Sequence, residues 1–96
     1  MTEEEFAELY IRLQRHVFRY AIAHLRAAEQ AHDAVSETFR IAWEKRKLIK
    51  SEAKSASAYV MGISRFVVLR QIQDRQRHPE DAYEDWAIAA RERLAS

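Results

Sequence analysis

The apolar residues of this chain recur at intervals of three and four, so its hydrophobic pattern predicts helices. Phe6, Leu9, Tyr10, Leu13, Val17, Tyr20, Ala21 and His24 form one long stripe, which Ile11, Phe18, Ile22 and Leu25 broaden. So wide an apolar arc predicts a first helix central to a bundle, packed by neighbours on two sides. It begins near Thr2, a suitable N-cap, and Glu3, Glu4 and Glu5 fill a first turn where the helix dipole favours negative charge. Arg12, Arg15, Arg19 and Arg26 lie largely off the stripe. A turn around Ala27 to Gln30, without Gly or Pro, separates this helix from a second. There Ala31, Val35, Phe39, Ala42 and Trp43 share one face, and Asp33, Glu37, Arg40, Glu44 and Lys47 recur on the other. Taken alone, this is an ordinary amphipathic helix with a solvated charged face. It is expected to run to Leu48 or Ile49, and Lys45, Arg46 and Lys47 in its last turn suit the negative end of the dipole.

Lys50 to Ser57 contains no large apolar residue and reads as a polar loop, with Ser55 or Ser57 capping the next helix. The third helix is expected from about Ala56 to Arg77, burying Ala56, Tyr59, Val60, Ile63, Phe66, Val67 and Leu69. Gly62 inside it costs about 1 kcal/mol relative to Ala, for which close approach of another helix is the expected compensation. Pro79 interrupts the pattern. Tyr83, Trp86, Ala87, Ala90 and Leu94 then form a stripe that predicts a fourth helix from Glu80 to about Leu94. The predicted fold is all-α: a compact bundle of three core helices over residues 1–78, with a C-terminal helix or linker over 79–96.

Composition agrees. One Gly and one Pro among 96 residues leave little material for turns or sheet. A chain of this length buries roughly 60 to 65 per cent of its unfolded surface, enough for one modest core. The absence of cysteine excludes disulfide scaffolds and thiolate metal sites and suits a reducing cytosol. No apolar run approaches the roughly 18 residues that a bilayer span requires. The start, M-T-E-E-E, is acidic where a secretory signal is basic, so the chain reads as cytoplasmic, without membrane insertion.

The net charge of +1 conceals a segregated pattern. Lys45, Arg46, Lys47, Lys50 and Lys54 cluster against Glu52 alone, and Arg65, Arg70, Arg75 and Arg77 follow against Asp74. Both ends are acidic, through Glu3, Glu4, Glu5 and Glu8 and through Glu80, Asp81, Glu84, Asp85 and Glu92. A basic middle suits a polyanion, and equally suits pairing with the acidic ends. Catalysis is not expected. No Ser-His-Asp arrangement or Gly-rich phosphate loop is present, His32 and Asp33 are adjacent and point different ways, and His16, His24 and His78 are isolated. No metal or other cofactor is expected.

The stretch A-H-D-A-V-S-E-T-F-R-I-A-W, from Ala31 to Trp43, resembles the most recognisable helix of bacterial sigma factors, and most closely that of the extracytoplasmic-function group, A-E-D-x-V-Q-E-x-F-x-x-A-W. Ala31, Asp33, Val35, Glu37, Phe39, Ala42 and Trp43 fit, while His32 and Ser36 stand where Glu and Gln are usual. Phe6, Leu9, Tyr10, Val17, Tyr20 and Ala21 match the family's preceding helix, and Val60, Ile63 and Arg65 match the following one. Tyr59 replaces a Trp there, Ser64 an Ala and Phe66 an Asn. Arg70 stands where an acidic residue is common, and the run after it is less basic than the family's. The resemblance covers about Phe6 to His78 and implies a region 2 domain.

In that family the second helix docks on the clamp coiled coil of core RNA polymerase, which implies polymerase contacts at Asp33, Ser36, Glu37 and Arg40. The following loop captures a flipped base of the minus-ten promoter element. This implies DNA contacts at Lys45, Lys47, Lys50, Lys54, Ser55, Tyr59, Arg65, Arg70, Arg75 and Arg77. Tyr59 is the aromatic candidate for base stacking, although its helical phase suits a core role equally. An alternative keeps the fold and discards the DNA: a protein-interaction module that binds an anti-sigma factor or regulator, to which the departures at Ser36, Phe66 and Arg70 point. A helical bundle unrelated to transcription is the third reading.

Overall fold

The computed structural model describes residues 1–77, which form α1 (Glu3–Leu25), α2 (Ala28–Glu44), a single 3-10 turn (Arg46–Leu48) and α3 (Ala53–Arg77). Each helix packs against the other two. The fold is all-α as predicted, with no strand among the described residues. The predicted fourth helix, Pro79 and His78 lie outside the described residues.

Thr2 caps α1 as predicted, and it does so reciprocally. Its Oγ1 accepts from the Glu5 amide at 3.2 Å, and its own amide donates to Glu5 Oε1 at 3.1 Å. The Ser51 hydroxyl, then Thr2, hold the Glu5 carboxyl below its ordinary value. The far end of α1 turns on Arg26, whose backbone is left-handed at φ 58°, with its N–H donating to the Ile22 carbonyl at 2.9 Å. The turn expected over Ala27 to Gln30 is therefore tighter and earlier. An arginine occupies the position glycine usually takes, and α2 begins at Ala28.

The second helix is shorter than predicted. It stops at Glu44, and Lys45 to Ile49 tighten into 3-10 hydrogen bonds, Leu48 N–H to the Lys45 carbonyl at 2.8 Å and Ile49 N–H to the Arg46 carbonyl at 3.3 Å. Tightening rotates Ile49 into the core, 3% exposed, and leaves Leu48 outside. The Arg46 guanidinium stacks 4.0 Å from the centre of the Trp43 ring and donates to the Trp43 carbonyl at 2.9 Å. The third helix begins at Ala53, ahead of the predicted Ala56. Ser55 and Ser57 consequently lie inside it and do not cap it. Ser55 donates to Glu52 Oε2 at 3.5 Å, and Ser57 accepts from Arg12 at 3.4 Å.

Two apolar clusters fill the bundle. Near the start of α1, Leu9, Leu13 and Val17 meet Phe39, Ala42, Ile49, Ala56 and Val60. Near its end, Ala21 and Leu25 meet Ala31, Ala34, Val67 and Val68. Ile63 touches both. Phe6 stands edge-on to Trp43 and Phe39 at centroid distances of 5.1 and 6.4 Å, and Tyr10 to Phe39 at 4.7 Å. Such pairs each add about 0.5–1.5 kcal/mol beyond area burial.

The buried face of α3 differs from the prediction. Phe66 is 57% exposed and Leu69 53%, while Val68 is buried. Val67 and Val68 both point inward, so Phe66 and Leu69 each lie one residue, about 100°, beyond an edge of the buried arc. Gly62 is two residues from both buried Val60 and buried Ser64, which places it on the outer face. A Cβ there would meet nothing within 4 Å, so no close helix approach explains this glycine.

Two outcomes follow. Gly62→Ala, with free space and better helix propensity, raises stability by about 0.5–1 kcal/mol, measurable as a higher Tm. Leu9→Ala, at a position 2% exposed, lowers it by about 2–5 kcal/mol in urea denaturation.

Candidate functional site

The rotation of α2 is set by Ala31, Ala34, Thr38 and Ala42, all fully buried. Asp33, Glu37 and Arg40 are thereby turned towards the flank of α3 rather than into it. They line a furrow with Ile41 on their own helix and Phe66, Val67, Arg70, Gln71 and Asp74 on α3. The furrow continues past Ile41 and Phe66 to Lys45, Ala58, Tyr59, Gly62 and Ile63. Ascending α2 is thus matched by descending α3, and the two helices run antiparallel along it. Ser36 stands apart from its three predicted companions. It borders the groove between α1 and α2 with Tyr10, Gln14, Arg15, Phe18, Val35 and His32, whose ring lies 4.7 Å from Phe18.

Arg40 is clamped. Its Nε and Nη2 donate to the two Glu37 carboxylate oxygens at 3.0 and 2.6 Å, and its Nη1 donates to Glu44 Oε1 at 2.5 Å. These hydrogen bonds and the nearby carboxylates push Arg40 further above its already high range. Glu37 is held below the usual carboxylate range, first by the Arg40 hydrogen bond, with smaller contributions from the charges of Arg40 and Arg70. Asp33 makes no ion pair among the described residues.

Lys45, Lys47, Lys50 and Lys54 cluster where α2 hands over to α3, and all four are exposed. Lys45 is the C-cap of α2, Lys47 lies on the 3-10 turn, Lys50 is in the loop and Lys54 is in the first turn of α3. Ser55 joins them half-buried, held by Glu52. Tyr59 is half-buried, packs on the first apolar cluster and also walls the furrow.

The arginines of α3 are not grouped in this way. Arg65, Arg70 and Arg75 are five residues apart, and each step of five turns about 140° around a helix, so they spiral. Arg70 stands beside Glu37 in the furrow, and Arg75 reaches Gln30 Oε1 at 3.3 Å. Arg77 closes α3. The acidic stretch Glu80 to Asp85 lies outside the described residues. Sequence reasoning missed Ile41, Gly62 and Phe66 as walls of one furrow. The adjacent pair Val67–Val68, read as both buried, would have exposed Phe66. His16 is exposed, and so is His24, which the apolar stripe read from the sequence had included; no cluster of metal-ligating side chains occurs among the described residues. No described helix is long and apolar enough to cross a membrane.

Among the described residues, three helices present charged furrows and a lysine-bearing corner at the surface. Residues 9–78 match the family described as sigma-70 region 2, and the chain belongs to that family, a non-catalytic transcription-factor domain of sigma factors. No curated protein and no solved structure shows a match to the chain.

The Glu37 arrangement sets a pH dependence. A carboxyl held low in the folded state stabilises the fold when ionised, fully at neutral pH, and loses that contribution as pH falls below the ordinary Glu value of about 4.3 and through the lowered one. The Tm difference between wild type and Glu37→Gln is therefore present at pH 7 and closes on acidification, as followed by circular dichroism.

Proposed function

We propose that this domain serves a bacterial, cytoplasmic sigma factor of the extracytoplasmic-function type. It docks on the clamp coiled coil of core RNA polymerase through Asp33, Ser36, Glu37 and Arg40. It holds the melted minus-ten element through Lys45, Lys47, Lys50, Lys54, Ser55 and Tyr59, with Arg65, Arg70, Arg75 and Arg77 along α3. The observation that carries this reading is the division of the surface: carboxylates along α2, then a separate corner of four exposed lysines where α2 meets α3.

The chemistry of each part suits its role. The Glu37–Arg40–Glu44 clamp fixes the carboxylates on a rigid helix, so an incoming cation meets charge already in place. The lysines track phosphates, and the short polar loop offers hydroxyl and backbone groups to an unstacked base. A handful of phosphate contacts gives micromolar or weaker affinity at physiological salt, and stacking adds about 1–3 kcal/mol per base. The domain therefore needs polymerase to position it on a promoter. A second reading, a module that engages an anti-sigma factor without reading DNA, is favoured by the exposed Phe66 and Leu69.

Binding to core polymerase or its isolated clamp coiled coil tests the first reading. Asp33→Ala and Glu37→Ala are each expected to weaken it by about three- to thirtyfold with helicity retained. A well-folded wild type that does not bind rejects the role. Changing Lys47, Lys50 and Lys54 together to Gln is expected to reduce the salt slope of single-stranded minus-ten binding by about two. An unchanged slope favours the second reading.

A further inference from the structure

Four arginines on α1 belong neither to the α2–α3 furrow nor to the lysine corner. Arg12, Arg15, Arg19 and Arg26 are all exposed and follow one another at steps of three, four and seven residues, which keeps them within about 60° of one face, in a row ~21 Å long. From Leu9 to Leu25 the helix carries no Asp or Glu. Glu8, one turn before Arg12, and Glu29, at the start of α2, bracket the row, and none of its four arginines makes an ion pair among the described residues. Their charge is uncompensated, whereas Arg40 on α2 is held between two carboxylates. Arg12 joins the row to α3, where its Nη2 donates to Ser57 Oγ at 3.4 Å. Lys54 lies one turn before Ser57, and Arg65 lies eleven residues beyond Lys54, close to three full turns, which returns it to the same side. Neither borders the α2–α3 furrow, whose walls hold Asp33, Glu37 and Asp74. The starts of α1 and α3 share one apolar cluster and their later turns share the other, so the two sets of cations lie alongside.

We propose that the arginine row of α1, with Lys54 and Arg65 beside it, is a sequence-independent binding surface for the phosphate backbone of duplex DNA. The surface requires neither polymerase nor a minus-ten element. One strand of a duplex presents a phosphate every 3.4 Å or so of its axis, so ~21 Å of helix faces about six of them. Guanidinium groups suit that partner, because their paired N–H donors match phosphate oxygens. The row holds no exposed aromatic side chain, which a single strand would need for stacking. On α1 the large apolar side chain exposed at its edge is Ile11, too little for the apolar centre of a protein interface. Binding of this kind draws on counterion release and falls steeply with salt.

The test uses the full chain at about 50–200 mM salt, with three probes: a duplex of about 20 base pairs that lacks a minus-ten element, one of its strands alone, and core polymerase. Arg15→Gln, Arg19→Gln and Arg26→Gln together remove three charges that make no ion pair among the described residues, and Lys at the same three positions keeps them. The Gln variant is expected to weaken duplex binding at least about tenfold and to lower its salt slope by about two to three, with Tm nearly unchanged. The Lys variant is expected to keep the wild-type slope. A duplex slope in the Gln variant equal to that of wild type overturns the proposal, as does a folded wild type that binds no duplex at the lowest salt. An equal loss on the single strand makes the row a single-strand site, and a loss of polymerase binding with duplex binding intact makes it a protein site; each rejects the proposal. If the Gln variant lowers Tm markedly, Arg19→Glu alone decides: duplex binding weakened by about threefold or more supports the row, and wild-type affinity rejects it. The α2 carboxylates and the lysine corner are read on the clamp and on minus-ten DNA, so failure of the row leaves those roles standing.

Discussion

The interior of this domain is thin, and its dependence on small side chains governs the rest. Val17, Ala21, Ala31, Ala34, Ala42 and Val60 are fully buried, and Ala56 and Val68 nearly so. Side chains this short contribute little area each. The helices must approach closely to exclude water and gain dispersion contacts, which only a narrow range of helix rotations permits. Once Ala31, Ala34, Thr38 and Ala42 face inward, Asp33, Arg40 and Glu44 have no choice but the surface. The orientation of the charged face of α2 is thus a consequence of packing.

That constraint also separates two kinds of surface chemistry. Along α2, Arg40 is held between two acidic residues, so the face presents fixed charges that require little reordering when a partner arrives. Beyond the end of α2 the chain changes character within a few residues, and the lysines project from a turn, a loop and a new helix start. The spiral of the α3 arginines spreads their charge around the helix. The lysine corner, rather than α3, is therefore where positive charge is locally dense.

Much of this was legible in the letters. Most of the α1 stripe, the Thr2 cap and the solvent-facing set on α2 are fixed by spacing or local chemistry, although Tyr10, Ile11 and His24, read as part of that stripe, are exposed. The failures have local causes as well. The α1–α2 turn carries neither Gly nor Pro, because Arg26 itself adopts the left-handed conformation. The end of α2 could not be read because Ile49 continues the apolar pattern while the backbone tightens beneath it. On α3, two adjacent valines shift the buried arc, and no count of apolar residues says which edge Phe66 falls on. A furrow is a property of two helices together, so periodicity within one helix could place Asp33, Glu37 and Arg40 on a face but could not supply Phe66 and Gly62 as the opposite wall.

Ile49 gives the lysine corner a property beyond its charge. The residue is driven into the core between Lys47 and Lys50, and Arg46 is stacked on Trp43 and bonded to its carbonyl. The segment that carries the positive charge is thereby moored at two points, Arg46 and Ile49, within four residues of sequence. Its backbone loses its conformational freedom when the domain folds, not when a ligand arrives. A free basic tail of the same composition would surrender roughly 1–2 kcal/mol of entropy for each residue it ordered on binding, and this corner has already done so. The lysines therefore project from an anchored backbone rather than from a free tail.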